Sequence, residues 1–328
     1  MLNADLVKQC ALQSGADLVG IGDMERFEGA PRDFDPRYIF PEARSIIGLG
    51  FRIHRGLLRG VEEGTFFGAY PSMGYANIND VYAPMVLREL GDLLEDNGYE
   101  AVLYQNTAVR YGTNAGRPVR PDYPRPDVFL HFRIAAYICG MGEIGYSKVF
   151  VTPQFGPRQR FAFVITDAPL DPDPLYEGPE LCDRCMECVV ECPGGCISRE
   201  KTVKISIEGR EVEWGEIDVE KCGAVFQTSV PEYNPFMPEE AGEYIRRLVA
   251  TEPGEERRRL AAERGGPWDV GRQIPYNRAG WESYHHPGAL CGARGCIRAC
   301  MIHLEEQDKL QNKFHSRFRL REPWRLDG

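Results

Sequence analysis

The chain has 328 residues, with 39 Lys and Arg against 49 Asp and Glu, a formal net charge of −10, and 43% hydrophobic residues. That length supports one large domain plus a smaller one, and the acidic balance argues against nonspecific binding to nucleic acid or to an anionic membrane. No run approaches the ~18 apolar residues of a membrane span, and the opening MLNADLVKQC lacks the basic and apolar regions of an export leader, so a cytoplasmic protein is expected.

Residues 2–15 place Leu2, Leu6, Val7, Cys10 and Ala11 near a 3.6 period, which predicts a helix ended by Gly15. ADLVGIG (16–22) predicts a short buried strand, one helix-to-strand step of an α/β domain. Residues 24–43, rich in Pro, Asp and Arg, read as a surface excursion, and 43–53 as a second apolar strand. Residues 57–76 carry Gly, Pro and aromatics without a clear period and read as a long loop, a kind of segment that often carries function. Residues 77–97 predict the best helix, with Val81, Met85, Leu87, Leu90, Leu93 and Leu94 as its stripe and Pro84 marking its start or a kink.

YEAVLYQN (99–106) predicts a strand followed by Asn106, and residues just past strand ends in α/β sheets face the ligand crevice. Residues 107–128 form an irregular loop of Arg, Pro and Tyr. Residues 131–147 predict a helix breaking at Gly140, and 149–170 two strands around a Pro-Gly turn. The linker-like DPDPLYEGPE (171–180) sets a domain boundary, giving 1–175 and 176–328.

LCDRCMECVVECPGGCIS (181–198) places Cys182, Cys185, Cys188 and Cys192 in a C-x2-C-x2-C-x3-C-P run. This is the bacterial iron–sulfur spacing, whose fourth cysteine serves the other cluster of a pair. Zinc knuckles pair C-x2-C units and fit a triple run poorly. A β-hairpin follows over 202–219, then Cys222, a charged helical stretch over 239–265 and an aromatic loop over 267–289. A second run supplies Cys291, Cys296 and Cys300.

Two cubanes need eight thiolates, so one more must come from elsewhere. Cys222, returned by the hairpin, is the first candidate and Cys196 the second; Cys10 and Cys139 sit in apolar helical contexts. The crossed arrangement gives Cys182, Cys185, Cys188 and Cys300 to one cluster, and Cys192, Cys222, Cys291 and Cys296 to the other. Such a pair conducts single electrons, and the ~180 residues upstream must hold their acceptor. GMGEIG (140–145) and the GxG at 20–22 do not meet the dinucleotide fingerprint, and no Walker A sequence occurs.

The segments NGYEAV (97–102) through Asn106, CGMGEIGYSKVFVTPQFGPRQRFAFVITDAPL (139–170) and the first cysteine run resemble the cobalamin-dependent reductive dehalogenases. The order of elements is also similar to that of epoxyqueuosine reductase, their tRNA-modifying relative, whose eighth ligand the lone cysteine in IDVEKCGAVFQTS resembles. The resemblance implies an α+β protein: a nitroreductase-like α/β domain binding base-off cobalamin, with a C-terminal bacterial ferredoxin-like module of two [4Fe–4S] clusters. It implies electrons passing through the clusters to cobalt for reductive cleavage of a carbon–heteroatom bond in a small-molecule substrate, fed by a low-potential donor such as ferredoxin or flavodoxin.

By motif position it implies catalytic roles for Asn106, for Arg160 or its neighbour Arg158, and for a tyrosine proton donor, Tyr82 or, less well placed, Tyr75. The glycine-turn segment with Gly140, Gly142, Gly145, Tyr146 and Thr152 would bind the cofactor. Departures are Tyr146 where the families carry Arg or Lys, the long loop at 107–128, and a second run spaced C-x4-C-x3-C. Alternatives are an electron-transfer protein without cobalamin and epoxyqueuosine reductase itself, for which the basic tail from Lys313 to Arg325 would make a local tRNA patch.

Overall fold

The structure, a computed structural model, describes residues 2–66, 68–106, 116–234, 237–262, 291 and 294–321. Its centre is a four-stranded sheet of β1 (Leu18–Asp23), β2 (Ser45–Arg52), β3 (Ala101–Tyr104) and β6 (Gln159–Thr166), ordered β1-β2-β6-β3. Every pairing is antiparallel. The helix-to-strand steps in the sequence therefore build a mixed α/β fold without the parallel sheet such steps suggest, and the carboxyl-end crevice rule does not apply to it.

Alternation along the central strands feeds two cores. Ile47, Leu49, Phe51, Ala162 and Val164 face one, which the helices Ala4–Gln13 and Ala83–Asp96 cover with Val7, Ala11, Val86, Leu87, Leu90 and Leu94. Ile46, Phe161, Phe163 and Ile165 face the other, covered by the helix Phe132–Ile138. That helix sits close because β1 and β2 present glycines. A Cβ on Gly20 would lie 2.3 Å from the Cys139 carbonyl oxygen, and one on Gly22 2.7 Å from Ile138.

The α-helix Ala83–Asp96 carries Pro84 in its first turn and continues directly from the wide π-helical turns of Ile78–Tyr82, so the proline sits where the helix changes from π to α. Met85 and Val81 of the expected stripe are exposed, and Val86 takes the buried position. Residues 57–76 are largely helical, against the loop expectation: a helix spans Gly56–Glu62, and Ala69–Pro71 leads into wide π-helical turns over Ser72–Ala76 and Ile78–Tyr82. Wide turns blur a 3.6 period, which hid this stretch.

Beyond the sheet, β4 (Glu143–Ile144) pairs with β5 (Phe150–Val151), and the hairpin of β7 (Ile197–Ile207) and β8 (Arg210–Ile217) turns at Glu208-Gly209. The charged stretch forms helices Glu239–Ala250 and Glu255–Ala262, and the last helix is Cys296–Glu306. Met301 and Phe318 enter the first core, and Ile207, Val212 and Trp214 the second. Both large cores thus draw on residues from either side of the 171–180 segment. The loop expected over 267–289 lies outside the described residues, as do 107–115 of the earlier loop and 322–328 of the tail. Among the described residues, no helix is long and apolar enough to cross a membrane.

Candidate metal centre and adjoining cavity

The first cysteine run is held from upstream. The Glu143 carboxylate accepts from the Leu181 and Cys182 amides at 3.1 and 3.2 Å, and the Tyr146 amide donates to Cys182 Sγ at 3.3 Å. Arg184 and Met186 adopt left-handed φ of 56° and 65°, which folds the loop tightly before the turn of helix Glu187–Val190 that carries Cys188. Cys296 and Cys300 stand one turn apart on the last helix, so both face the run.

The eight expected ligand cysteines fall into two groups of four, and Cys196 lies with the second. Cys182, Cys185, Cys188 and Cys300 line one small cavity with Gly145, Tyr146 and Ser147. Burial pushes the Cys300 thiol well up, and the nearby sulfurs of Cys182, Cys188 and Cys185 push it further. Burial likewise raises Cys291, followed by Cys296, Cys192 and Cys222, and raises Cys296 to about 12, followed by Cys222 and Cys192. Cys188 is raised to about 11 by burial and Cys182. Crowded buried thiols resist ionisation until a cation shares the site, which is the chemistry of a metal–thiolate cage. Cys192 is the exception. The Cys196 thiol and the amides of Cys196, Gly194 and Ile197 bring it down to about 6 despite burial.

On the rim of the first cage, His303 Nε2 lies 2.8 Å from Asp183 Oδ2, and Lys309 Nζ 3.2 Å from the same oxygen. Asp183, Cys185 and His303 bring their ligand atoms within 4.8 Å of one another. Sequence reasoning passed over His303; its place three residues after Cys300 on the same helix was the available signal.

A cavity of about 300 Å³ adjoins the second group, which it meets at Ile297, next to Cys296. Its walls are Phe129, Phe132, Phe150, Phe161, Tyr75 and Tyr104, with Asn106, His131, Arg133, Gln159 and Arg160 as its polar groups. No carboxylate lines it among the described residues. Arg160 Nε donates to Asn79 Oδ1 at 3.0 Å, and its guanidinium lies 3.7 Å from the centroid of the Tyr75 ring. Arg133 lines the cavity and is exposed at its mouth. Burial lowers its pKa, and the sulfurs of Cys296 and Cys222 act the other way. Burial, then Lys148 and Arg133, hold the His131 imidazole down to about 3, and its Nδ1 is buried without a partner.

Of the site residues expected from the sequence, Asn106 and Arg160 meet in this cavity. Arg158 does not. It is 1% exposed, lies just before β6, and donates to the Ile53 carbonyl and Asn312 Oδ1, both at 2.9 Å, which hold it away from the cavity. Tyr82 is 44% exposed on a wide helical turn and lies off the cavity, whereas Tyr75 lines it. Gly140, Gly142 and Thr152 do not line this cavity. A Cβ on either glycine would lie 2.2 Å from a carbonyl oxygen, and Thr152 Oγ1 bonds Gln159 at 3.1 Å. Gly145 and Tyr146 line the first sulfur cage instead. Tyr104, Phe132 and His131 were not singled out for this site, since aromatic residues on a strand and a helix read as core.

No family model matches the chain. Over 94 residues, 26% of its length, it is 38% identical to a tetrachloroethene reductive dehalogenase of Desulfitobacterium hafniense. Over 111 residues it is 29% identical to the epoxyqueuosine reductase of Bacillus anthracis. Its curated relatives are reductive dehalogenases and epoxyqueuosine reductase. The matches span 17% and 24% of those two proteins, so the chain matches only a part of each. Among solved structures, the catabolic reductive dehalogenase NpRdhA aligns over 84% of this chain and 36% of its own, with a TM-score of 0.50 and 19% identity, a likeness of fold. The resemblance read from the motifs therefore stands, and the relatives that carry it are oxidoreductases.

Proposed function

We propose that this chain is a reductase with two [4Fe–4S] clusters that passes single electrons to a corrinoid at the aromatic cavity, for reductive cleavage of a carbon–heteroatom bond. The observation that carries the reading is the sorting of eight cysteines into two groups of four, one of which backs onto the cavity through Cys296 and Ile297. The upstream lobe would be the nitroreductase-like part and the downstream segment the ferredoxin-like module, with a boundary near residue 175. A small-molecule substrate and a ferredoxin- or flavodoxin-type donor follow from the same reading. Cys185, the exposed cysteine of the first cage, marks the side where electrons enter.

The donor set fits an amide-bearing, electron-rich cofactor. Arg133, Arg160 and Asn106 line the cavity, the His131 Nδ1 beside them is unpartnered, and no carboxylate opposes them among the described residues. When bound, a corrinoid supplies the low-potential metal centre that the protein side chains lack. The chain itself binds and orients. Aromatic walls exclude water, and Arg160 is held by Asn79 and stacked on Tyr75 so that it presents a fixed positive charge. Tyr75, in place of Tyr82, carries the hydroxyl proton on the cavity wall.

Anaerobic purification followed by iron and sulfide assays tests the reading. About eight irons per chain are expected, together with a visible corrinoid spectrum after incubation with hydroxocobalamin. Zinc, or four irons or fewer, overturns it, and clusters without any corrinoid uptake leave an electron-transfer protein. The similarity to epoxyqueuosine reductase supports a second reading, action on tRNA. Against it, the net charge is −10, and Arg319 and Arg321 of the basic tail are paired with Glu63. Filter binding with tRNA separates the two.

A further inference from the structure

The second sulfur group holds five thiols where a cubane takes four. Cys196, four residues after Cys192, is 3% exposed and packs with Val225, Val230 and Ile245 in a small core that also touches Cys192 and Cys222. Its amide donates to Cys192 Sγ at 3.2 Å. Its thiol is within hydrogen-bonding reach of the sulfurs of both Cys192 and Cys222. The space for this sulfur is made by glycine: a Cβ on Gly194 would lie 2.8 Å from Cys196 Sγ and 2.9 Å from Val225 Cγ2. The turn Cys192–Cys196 closes through the Gly195 amide on the Cys192 carbonyl at 3.0 Å, with Gly195 at φ 54°. A thiol packed beside two cysteines of one group is placed to reach a metal that either of them would hold.

We propose that Cys196 is a reserve ligand of the second cluster, able to replace Cys222 on its iron. This rests on the two-cluster reading. In the exchange the Fe–S bond to Cys222 breaks and one to Cys196 forms, while the Cys196 thiol proton passes to the departing Cys222 sulfur. No electron is gained or lost. The Cys196 and Cys222 side chains pack at one small core, which gives the proton a direct path between them. The placement suits a cage beside a cavity, where a ligand lost to oxidation or to a bound molecule would otherwise release iron.

The test counts iron in anaerobically prepared wild type, C196A, C222A and the C196A/C222A double variant. Wild type with about eight irons per chain establishes the two-cluster reading independently; fewer there is that reading's failure. Given eight, the reserve role predicts about eight in each single variant and about four in the double. Four irons in C222A alone would show that Cys196 cannot substitute, and four in C196A alone would make it the resident ligand; either result overturns the proposal. Where C222A folds poorly, C222S is read by electron paramagnetic resonance after reduction. Retention of the wild-type g-values supports replacement by Cys196, whereas a new rhombic signal from serine ligation contradicts it.

Discussion

Arg298 grips Glu62 in a two-pronged ion pair, Nε to Oε2 at 2.6 Å and Nη2 to Oε1 at 2.9 Å, with the Glu62 side chain wholly buried. The Arg321 amide adds a third bond to Glu62 Oε1 at 2.6 Å. Arg298 stands between Cys296 and Cys300, so this pair fixes the cysteine-bearing helix to the helix Gly56–Glu62 of the upstream lobe. Removing one partner leaves the other charge buried. R298A is expected to lose about 3–5 kcal/mol of stability, and E62L/R298M to recover much of it, because two matched apolar side chains leave no stranded charge. Anaerobic denaturant unfolding of the three proteins measures this, and a loss under 1 kcal/mol in R298A contradicts it.

The glycines of β1 give a paired prediction. G20A drives a methyl group into the Cys139 carbonyl 2.3 Å away, and an overpacked backbone contact costs about 1–3 kcal/mol. At Gly56, on the first turn of its helix, an added Cβ meets nothing within 4 Å. G56A is therefore expected to be neutral or to stabilise by up to about 1 kcal/mol. Thermal melts of the two variants should move in opposite directions or, at the least, be clearly separated.

His131 makes stability depend on pH in a defined window. Burial, with Lys148 and Arg133 nearby, lowers its folded pKa from 6.5 to about 3. Between those values the unfolded chain takes up a proton that the folded protein refuses. Its contribution is complete above about pH 6.5 and drains as pH falls towards about 3. H131N removes this slope. Unfolding free energies measured at pH 8 and pH 5 should differ more in wild type than in H131N; equal differences would refute the assignment.

Arg160 and Arg158 separate function from structure two residues apart. R160A removes the bond to Asn79 and the stack on Tyr75 while leaving both sulfur groups intact. Reductive turnover of a panel of organohalides with a reduced viologen is expected to fall on the order of 10²-fold, with iron content unchanged. R158A instead strips two buried backbone and side-chain partners and should act on stability. Similar activity losses in both variants at equal stability would show that the cavity assignment of Arg160 is wrong.

The cysteine spacing announced a metal site because ligand geometry at one cluster is local: three thiolates come from seven consecutive residues. The glycine turn and the strand pair behind it were legible for the same reason, since each is a short-range pattern. The sequence alone could not decide between Arg158 and Arg160, because that depends on where β6 begins and on the distant Ile53 carbonyl and Asn312 that hold Arg158, or between Tyr82 and Tyr75, because π-helical turns shift the angular position of every residue they contain. The crossed spacing also gave the division of Cys291, Cys296 and Cys300 between two groups, but not that Cys196 lies against Cys192 and Cys222 or that the last helix is pinned by Glu62. Those are contacts between distant segments, 236 residues apart for Glu62 and Arg298, and only the closing of the last helix onto the upstream residues brings them together.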